Sequence, residues 1–358
     1  MMKKTYSQEE LKGRVLTVAG PIPADALGVT ITHEHLLSYA PHIAIEPAEV
    51  AAKDIFCAPV TMDILGKIRF GRAVNRDNCE LNDHEAAIEE TAIYRDAGGV
   101  TIVDATSIGI GRNPEGLAQI SEATGLNIVM GASYYLNAVL GPEHGITKKS
   151  EDVICEEILS DIFEGVDGTG IHAGLIGEVG CSWPLHENER KVLRASGRAQ
   201  SISGAPLMIH PAANPAAPAE IVDILDSVGA DLSRTIICHI DRTIDDKGVL
   251  KALAESGVIL EYDLFGYENS YYPWPLPVDM PNDARRLRWL EWLIGEGYGA
   301  QIVISHDIFF KEKLVRYGGH GYGHILENVV PLMRRIGFAE SDINRILVEN
   351  PKRVFPFV

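Results

Sequence analysis

One pattern organises the sequence: an apolar strand followed by an amphipathic helix, repeated along nearly the whole chain. Eight runs rich in valine, isoleucine and leucine form the strands: 28–37, 99–106, 127–135, 173–180, 206–212, 235–241, 258–264 and 301–308. Strands that are apolar along their whole length are typical of parallel sheets covered by helices. Eight strand–helix units therefore predict an α/β protein with the (β/α)8 TIM barrel fold.

The predicted barrel spans residues 29–358 as a single domain. Residues 11–28 alternate apolar and polar side chains around a Gly-Pro pair, which predicts a short N-terminal hairpin. Residues 38–82 contain three prolines and weak periodicity, and predict a long loop with one short helix. The alternative fold is an open, doubly wound sheet, which usually carries a glycine-rich phosphate-binding motif after an early strand. The sequence has no such motif.

The charge and composition of the chain indicate what kind of molecule the protein binds and where it is located. The net charge is -18, which argues against nucleic acid and anionic membranes, because both are bound by basic patches. The first ten residues lack the apolar segment of a secretory signal, and no apolar run approaches the ~20 residues of a membrane span. Five cysteines without a CxxC pair predict reduced thiols. We expect a cytoplasmic protein that acts on a small molecule.

Polar residues at the ends of five strands point to a metal site. In a barrel the carboxyl ends of the strands meet at one mouth, where catalytic residues lie. Four histidines and two carboxylates occupy these ends: His33, His35, Glu178, His210, His239 and Asp307. Six such ligands exceed the four of a tetrahedral zinc site, so they predict two divalent cations with Glu178 as the bridge. Zinc is expected, with Mn, Co and Fe as alternatives.

Each histidine taken singly could be a hydrogen-bonded core residue, and only their joint placement favours ligation. Two neighbours are predicted to face away from the mouth, since side chains alternate along a strand. These are His306, beside Asp307, and Cys238, beside His239.

Candidate substrate-binding residues lie just beyond the strands. Arg242 follows the sixth strand and suits an anionic group, with an ion pair to Asp241 or Asp263 as the alternative. Asp263 is also a candidate partner for a ligand histidine. The remaining candidates are Trp183, Tyr262, His320 and Tyr322. The aromatic run 267–275 suits a lid or a dimer surface.

Several motifs in order resemble the phosphotriesterase family of the amidohydrolase superfamily, and most closely its phosphotriesterase-related branch. They are "THEHL", "GEVGCSWPL", "MIHPA", "HIDRT", "EYDLFG", "ISHDIF" and "YGGHGYGHI". The resemblance implies a TIM barrel with a binuclear centre, bridged by a carboxylate and a hydroxide. His33, His35 and Asp307 would bind the more buried metal, and His210 and His239 the more exposed one. It also implies a homodimer.

Two departures from the phosphotriesterases themselves affect the predicted activity. The family's bridging carboxylated lysine is replaced by Glu178, as in the related branch. The family's Asp–His proton relay matches Arg242 and Leu264, so this relay is absent from the sequence. Both departures disfavour organophosphate hydrolysis as the main activity.

These observations predict a binuclear metal-dependent hydrolase in which Asp307 is the catalytic base and proton carrier. The favoured substrate is a small carbonyl compound, an amide such as an N-acyl amino acid. A lactone, carboxyl ester or phosphotriester is the alternative. A barrel that has lost activity and only binds a ligand is the third hypothesis, and the intact set of six ligands argues against it.

Overall fold

The computed structural model describes residues 5–48, 50–70, 75–268 and 279–358, without the side chains of residues 50–52. At the N-terminus, β1 (Arg14–Thr17) and β2 (Gly20–Pro23) pair antiparallel, and they form the predicted hairpin.

Eight parallel strands follow and confirm the predicted (β/α)8 fold. They are β3 (Thr30–Glu34), β6 (Thr101–Asp104), β7 (Asn127–Ala132), β8 (Leu175–Cys181), β9 (Leu207–Pro211), β10 (Thr235–Ile237), β11 (Ile259–Tyr262) and β12 (Ile302–Ile304). Each strand pairs with its predecessor in this series, as the repeated connection through helices requires. Hydrogen bonds between the last and first strands close the ring, including the Asp307 amide donating to the His33 carbonyl.

Helices cover the outside of the ring. They are α1 (Gln8–Leu11), α2 (Val50–Cys57), α3 (Leu65–Phe70), α4 (His84–Asp96), α5 (Pro114–Thr124), α6 (Glu151–Phe163), α7 (Glu187–Ser203), α8 (Ala217–Ser227), α9 (Ile240–Thr243), α10 (Lys247–Glu255), α11 (Asp283–Gly295), α12 (Val330–Ile336), α13 (Glu340–Asn344) and α14 (Asn350–Val354). Local sequence sets their ends: Asn113 caps α5 through the Gly116 amide, and Gly125 ends it in a left-handed conformation. Among the described helices, none has the length and apolarity to cross a lipid bilayer.

Two apolar layers explain why the polar residues gather at the mouth. The outer layer lies between strands and helices, and an inner cluster inside the ring includes Val103, Val129, Met208, Ile236 and Val303. The inner cluster fills the barrel below the strand ends, as in other TIM barrels. Polar side chains that point inward are therefore accommodated at the carboxyl ends.

The segment 38–82 is more structured than the predicted loop with one helix. Two residues at each end pair as β4 (Ser38–Tyr39) and β5 (Glu80–Leu81), and α2 and α3 lie between them. Each of these elements is too short to give the periodicity by which sequence reasoning recognises it. Ala40 and Cys79 pack against Phe309 and Phe310, so the segment covers one side of the barrel mouth.

Candidate metal centre

The four predicted histidine ligands surround Glu178. The Glu178 carboxylate lies 2.9 Å from His210 Nδ1, 3.4 Å from His33 Nε2, and 3.5 Å from both His35 Nε2 and His239 Nε2. These side chains come from β8, β9, β3 and the turn after β10, and all are buried. A carboxylate with two oxygens at the centre of four imidazoles is the arrangement that a bridging ligand requires.

Asp307 completes the group on one side. Its Oδ1 lies 3.2 Å from His35 Nε2 and 3.8 Å from His33 Nε2, and its side chain is 18% exposed. Donor atoms of His33, His35 and Asp307 lie within 4.8 Å of one another, as do those of His33, Glu178 and His239. The structure therefore brings together all six predicted ligands.

Irregular backbone aims these ligands into the mouth. The pairing register shifts on β3 between Ile31 and Glu34 and on β8 between Ile176 and Val179, where His33 and Glu178 project. His239 and Asp307 have positive φ angles of 54° and 50°, which are uncommon for residues other than glycine. Such conformations persist where the surrounding structure enforces them, and they concentrate at functional sites.

In three of these histidines the ring nitrogen that faces away from Glu178 has a fixed partner. Such partners are expected of histidines that bind a cation through the other nitrogen. His33 Nδ1 lies 3.2 Å from Glu261, His35 Nδ1 lies 2.9 Å from Thr106 Oγ1, and His239 Nδ1 lies 2.9 Å from Asp263. These contacts leave Nε2 of each ring directed at Glu178. Within the described residues, buried His33 Nε2 has no hydrogen-bond partner. Metal-ligating histidines show this arrangement, so the residues fit a pair of divalent cations.

The charge states of the cluster depend on the buried neighbours. Burial opposes ionisation of Glu178, but His210 and His33 outweigh it and hold its pKa well below the usual range. Burial lowers the pKa of His210 to about 3, whereas Asp263 overcomes burial and raises the pKa of His239 to about 9. A cation at His239 therefore competes with a proton, and metal binding releases protons.

The prediction that Cys238 faces the helices is wrong. Cys238 packs in the inner cluster, and its sulfur lies near donor atoms of His33, Glu261 and Asp263. Alternation from Ile236, which lies in the same cluster, directs Cys238 inward, and the turn at His239, with its positive φ, brings the next side chain to the centre as well. Burial raises the pKa of Cys238 well above the usual value, so it stays a thiol.

Glu34, between the two histidines of β3, holds the loop that carries Asp307. Its carboxylate accepts hydrogen bonds from Ser305 Oγ (2.7 Å), the His306 amide (2.9 Å), His306 Nδ1 (2.7 Å) and the Ile308 amide (3.0 Å). His306 faces away from the mouth, as predicted, and its Nε2 accepts the Ile325 amide. Glu34 thus fixes the residues on both sides of Asp307.

We expect Glu34→Gln to lower both stability and turnover. The side-chain amide of glutamine would place an N–H donor against groups that also donate, because Glu34 meets only donors. A hydrogen bond to a charged group contributes about 1.5–3 kcal/mol. Thermal unfolding and kcat measure the two effects, with Glu122→Gln on the exposed face of α5 as the control. A variant with normal unfolding temperature and normal kcat would contradict this role.

A cavity of about 760 Å³ opens directly above the centre. Its floor includes His35, Glu178, His210 and Asp307, and Arg242 also lines it. Arg242 lies in the helical turn α9 and its Nη2 donates to the Pro211 carbonyl at 3.1 Å. The other lining residues are His42, Ile43, Tyr135, Leu136, Ala138, Val139, Cys181, Ser182, Trp183, Ala212, Ala213, Asn214, Leu264, Tyr267, Met280, Phe309 and Phe310.

Trp183 and Arg242, both predicted to bind substrate, therefore face the cavity. Asp241 and Asp263, the predicted ion-pair alternatives for Arg242, hydrogen-bond to Arg286 and His239 respectively. Asp263 lies beneath the centre as a partner of His239.

Three other predicted substrate-binding residues lie away from the cavity. Tyr262 is buried in the outer layer, because Glu261 and Asp263 on either side of it point into the ring. Tyr322 is buried and donates to the His35 carbonyl at 2.9 Å. His320 packs beside Gly266, where a Cβ atom would lie 2.4 Å from the imidazole ring. Of the run 267–275, residues 269–275 lie outside the described residues, which leaves its predicted role untested.

Sequence reasoning missed two tyrosines at the site. The Tyr135 hydroxyl lies 3.4 Å from ring nitrogens of His210, and the Tyr267 hydroxyl donates to the Asp307 carbonyl at 2.7 Å. Tyr135 ends the third predicted strand, so the rule that selected the metal ligands also indicated this position. Tyr267 opens the aromatic run 267–275, which was predicted as a lid or a dimer surface and not as a contact of Asp307.

A TIM barrel with candidate metal ligands at five strand ends is typical of metal-dependent enzymes. Comparison with known protein families identifies which family this is. The family model of the phosphotriesterase family matches residues 13–355. The chain therefore belongs to the phosphotriesterase family, and it is a hydrolase.

Named relatives support this membership. An N-acetyltaurine hydrolase from Salmo salar is 43% identical over 348 residues, with 97% of this chain and 99% of the relative covered. A resiniferatoxin-binding protein from Rhodobacter sphaeroides has a TM-score of 0.93 and 36% identity, covering 99% of this chain and 98% of that one. A lactonase from Listeria monocytogenes has a TM-score of 0.77 and 25% identity, covering 96% and 99%.

Proposed function

We propose that the protein hydrolyses the amide bond of small N-acylated amines that carry an anionic group, such as N-acyl amino acids and N-acetyltaurine. One observation carries the proposal: four of the predicted metal ligands face the same cavity as Arg242, namely His35, Glu178, His210 and Asp307. An amide carbonyl and a carboxylate or sulfonate on one small substrate require both. The relative that is 43% identical, named an N-acetyltaurine hydrolase, supports this substrate class.

Six residues would hold two divalent cations, with Glu178 between them. His33, His35 and Asp307 would bind one cation, and His210 and His239 the other. When bound, the cations lower the pKa of a water molecule and polarise the amide carbonyl.

Asp307 is proposed to move the proton. Its carboxylate lies at the cavity floor, where it can accept a proton from the attacking water and deliver it to the leaving nitrogen. The Glu34 contacts and the hydrogen bond from Tyr267 hold its backbone on both sides. This fixed backbone suits a group that must accept and donate within one reaction cycle.

Arg242 is proposed to bind the anionic end of the substrate. It is buried, lines the cavity, and lies 3.4 Å from His210 Nε2, which places the guanidinium beside the centre. A guanidinium fork matches carboxylate or sulfonate oxygens in a bidentate contact. The substrate amide would then lie next to Glu178 and Asp307.

A substrate panel on metal-replete protein tests the reaction class. We expect kcat/KM for N-acetyltaurine or an N-acetyl amino acid to reach the usual enzymatic range of ~10⁴ M⁻¹s⁻¹ or more. A lactone, an aryl ester and a phosphotriester should be slower. A lactone as the best substrate would contradict the amide proposal and favour the activity of the Listeria relative.

Replacement of Arg242 by methionine should weaken binding of anionic substrates. Loss of a charge-assisted hydrogen bond corresponds to about 1.5–3 kcal/mol, or roughly 10–100-fold in kcat/KM. The loss should appear mainly in KM for N-acetyltaurine, and Arg242→Lys should recover part of it. Arg334→Met, at an exposed ion pair on α12, is the control. Equal kinetics for Arg242→Met and the control would remove Arg242 from the substrate site.

Three further proposals concern the metal, assembly and location of the protein. Zinc is proposed because imidazole and carboxylate donors suit it, with Mn, Co and Fe as alternatives. A homodimer is proposed because two-fold dimers are the commonest assembly. A cytoplasmic location is proposed because the five cysteines are free thiols. Elemental analysis, sedimentation and cell fractionation test these in turn.

A further inference from the structure

We propose that the site accepts acyl groups longer than acetyl, which lie along an apolar wall on the side of the cavity opposite Arg242. This inference rests on the proposed amide hydrolysis and specifies its substrate class. The acyl wall is defined by Ile43, Val139, Phe309 and Phe310.

Strand order places the acyl wall across the mouth from Arg242. Around the ring the order is β3, β6, β7, β8, β9, β10, β11 and β12, so β6 stands opposite β10. Arg242 follows β10, whereas Val139 follows β7 and Ile43 follows β3, the two strands that flank β6. Phe309 and Phe310 follow β12, which is next to β3 in the ring, and they pack in one cluster with Ile43 and Val139. A substrate whose anion contacts Arg242 and whose carbonyl lies over the centre therefore directs its acyl group at the wall.

The acyl wall is continuous with the metal centre. Phe309 packs edge-on against the His35 ring, with centroids 4.9 Å apart, and also against Phe310 at 5.5 Å. Ile43, Tyr135 and Val139 pack against the same cluster. An acyl chain that starts at the reacting carbonyl thus meets an apolar surface from its first carbon atoms.

A glycine brings one side of the acyl wall close to the mouth. A Cβ atom on Gly180 would lie 2.3 Å from the Leu136 amide nitrogen and 2.5 Å from the Tyr135 carbonyl carbon. The absence of a side chain at Gly180 therefore lets the loop after β7 pack directly on β8. This contact fixes Tyr135, and with it the start of the loop that carries Val139.

The cavity is larger than an acetylated substrate needs. Its volume of about 760 Å³ lies in the range of ~300–1,000 Å³ that is typical for drug-sized ligands. N-acetyltaurine occupies a small part of such a volume, and its methyl group covers little of the acyl wall. Burying each further methylene contributes about 0.8 kcal/mol, which corresponds to roughly a fourfold gain in kcat/KM.

The test is a series of N-acetyl-, N-butanoyl- and N-hexanoyltaurine on metal-replete protein. We expect kcat/KM to rise from acetyl to hexanoyl. Val139→Trp should lower the hexanoyl-to-acetyl ratio by at least ~10-fold, since a filled pocket excludes methylenes. Val153→Trp, at a position 41% exposed on α6, should leave this ratio unchanged.

The outcomes separate this inference from the proposed function. Hydrolysis that is fastest for N-acetyltaurine and falls with each methylene would overturn the acyl wall while amide hydrolysis stands. A rising series with the same ratio in Val139→Trp and Val153→Trp would overturn the placement of the acyl group. If neither a member of the series nor an N-acetyl amino acid is hydrolysed, both proposals fail. The wild-type series decides the first question without any variant.

Discussion

Asp307→Asn is expected to lower kcat by ~10²–10⁴-fold, the usual contribution of a general acid–base group, while the protein stays folded. The carboxylate lies at the cavity floor and within 3.2 Å of His35 Nε2, so its loss removes both a proton acceptor and a cation ligand. Asparagine has nearly the same shape and tolerates the left-handed backbone of this position, at φ 50°. Steady-state kinetics at saturating metal and thermal unfolding measure the two properties.

Asp167→Asn is the matched control for this experiment. Asp167 has φ 49° and is exposed, and it precedes the amino end of β8, whereas the mouth lies at the carboxyl ends of the strands. The same substitution in the same backbone conformation should leave kcat unchanged. Near-normal turnover in Asp307→Asn would show that another group moves the proton.

Glu178→Gln is expected to remove one cation from the centre and to lower kcat/KM by ~10³-fold or more. The substitution removes a proposed cation ligand itself, and not a residue that only orients a ligand. Loss of a group that only orients a ligand already costs about 10–100-fold. The Glu178 carboxylate contacts all four histidines within 3.5 Å, so its replacement changes the surroundings of both cations. The amide nitrogen of glutamine donates hydrogen bonds and cannot ligate.

Elemental analysis of purified Glu178→Gln gives the direct readout, alongside kcat/KM. Glu255→Gln, on the exposed face of α10, is the control and should keep the wild-type metal content. Glu178→Asp keeps the charge on a shorter arm and should retain more metal than the glutamine variant. A glutamine variant with full metal content would exclude Glu178 as the bridge.

The sequence specified the barrel and the position of the candidate ligands at its mouth because both depend on local pattern. Apolar runs located all eight strands, and their shared carboxyl ends brought His33, Glu178, His210 and Asp307 to one mouth. The resemblance to the phosphotriesterase family added the division of ligands between two cations. The irregular segment 38–82 gave only weak periodicity, so the sequence predicted one short helix there, whereas its described residues form α2 and α3.

The errors arose at strand ends. Cys238 was placed by counting back from His239, but His239 stands in a turn after β10, and Cys238 lies on the inner side with Ile236. Tyr262 stands at the right strand end but on the outer face, where it joins the core. Buried carboxylates such as Glu34 and Glu261 gave no sequence signal of their own, because their role depends on partners from the loop after β12 and from β3.

The most direct test of a binuclear amide hydrolase is to titrate metal-free protein with Zn²⁺, and in parallel with Mn²⁺, while acetate release from N-acetyltaurine is measured. We predict no hydrolysis without metal and a rate that saturates at two cations per chain. Full activity after complete metal removal would contradict the account. So would two bound cations with no hydrolysis of any N-acylated amine.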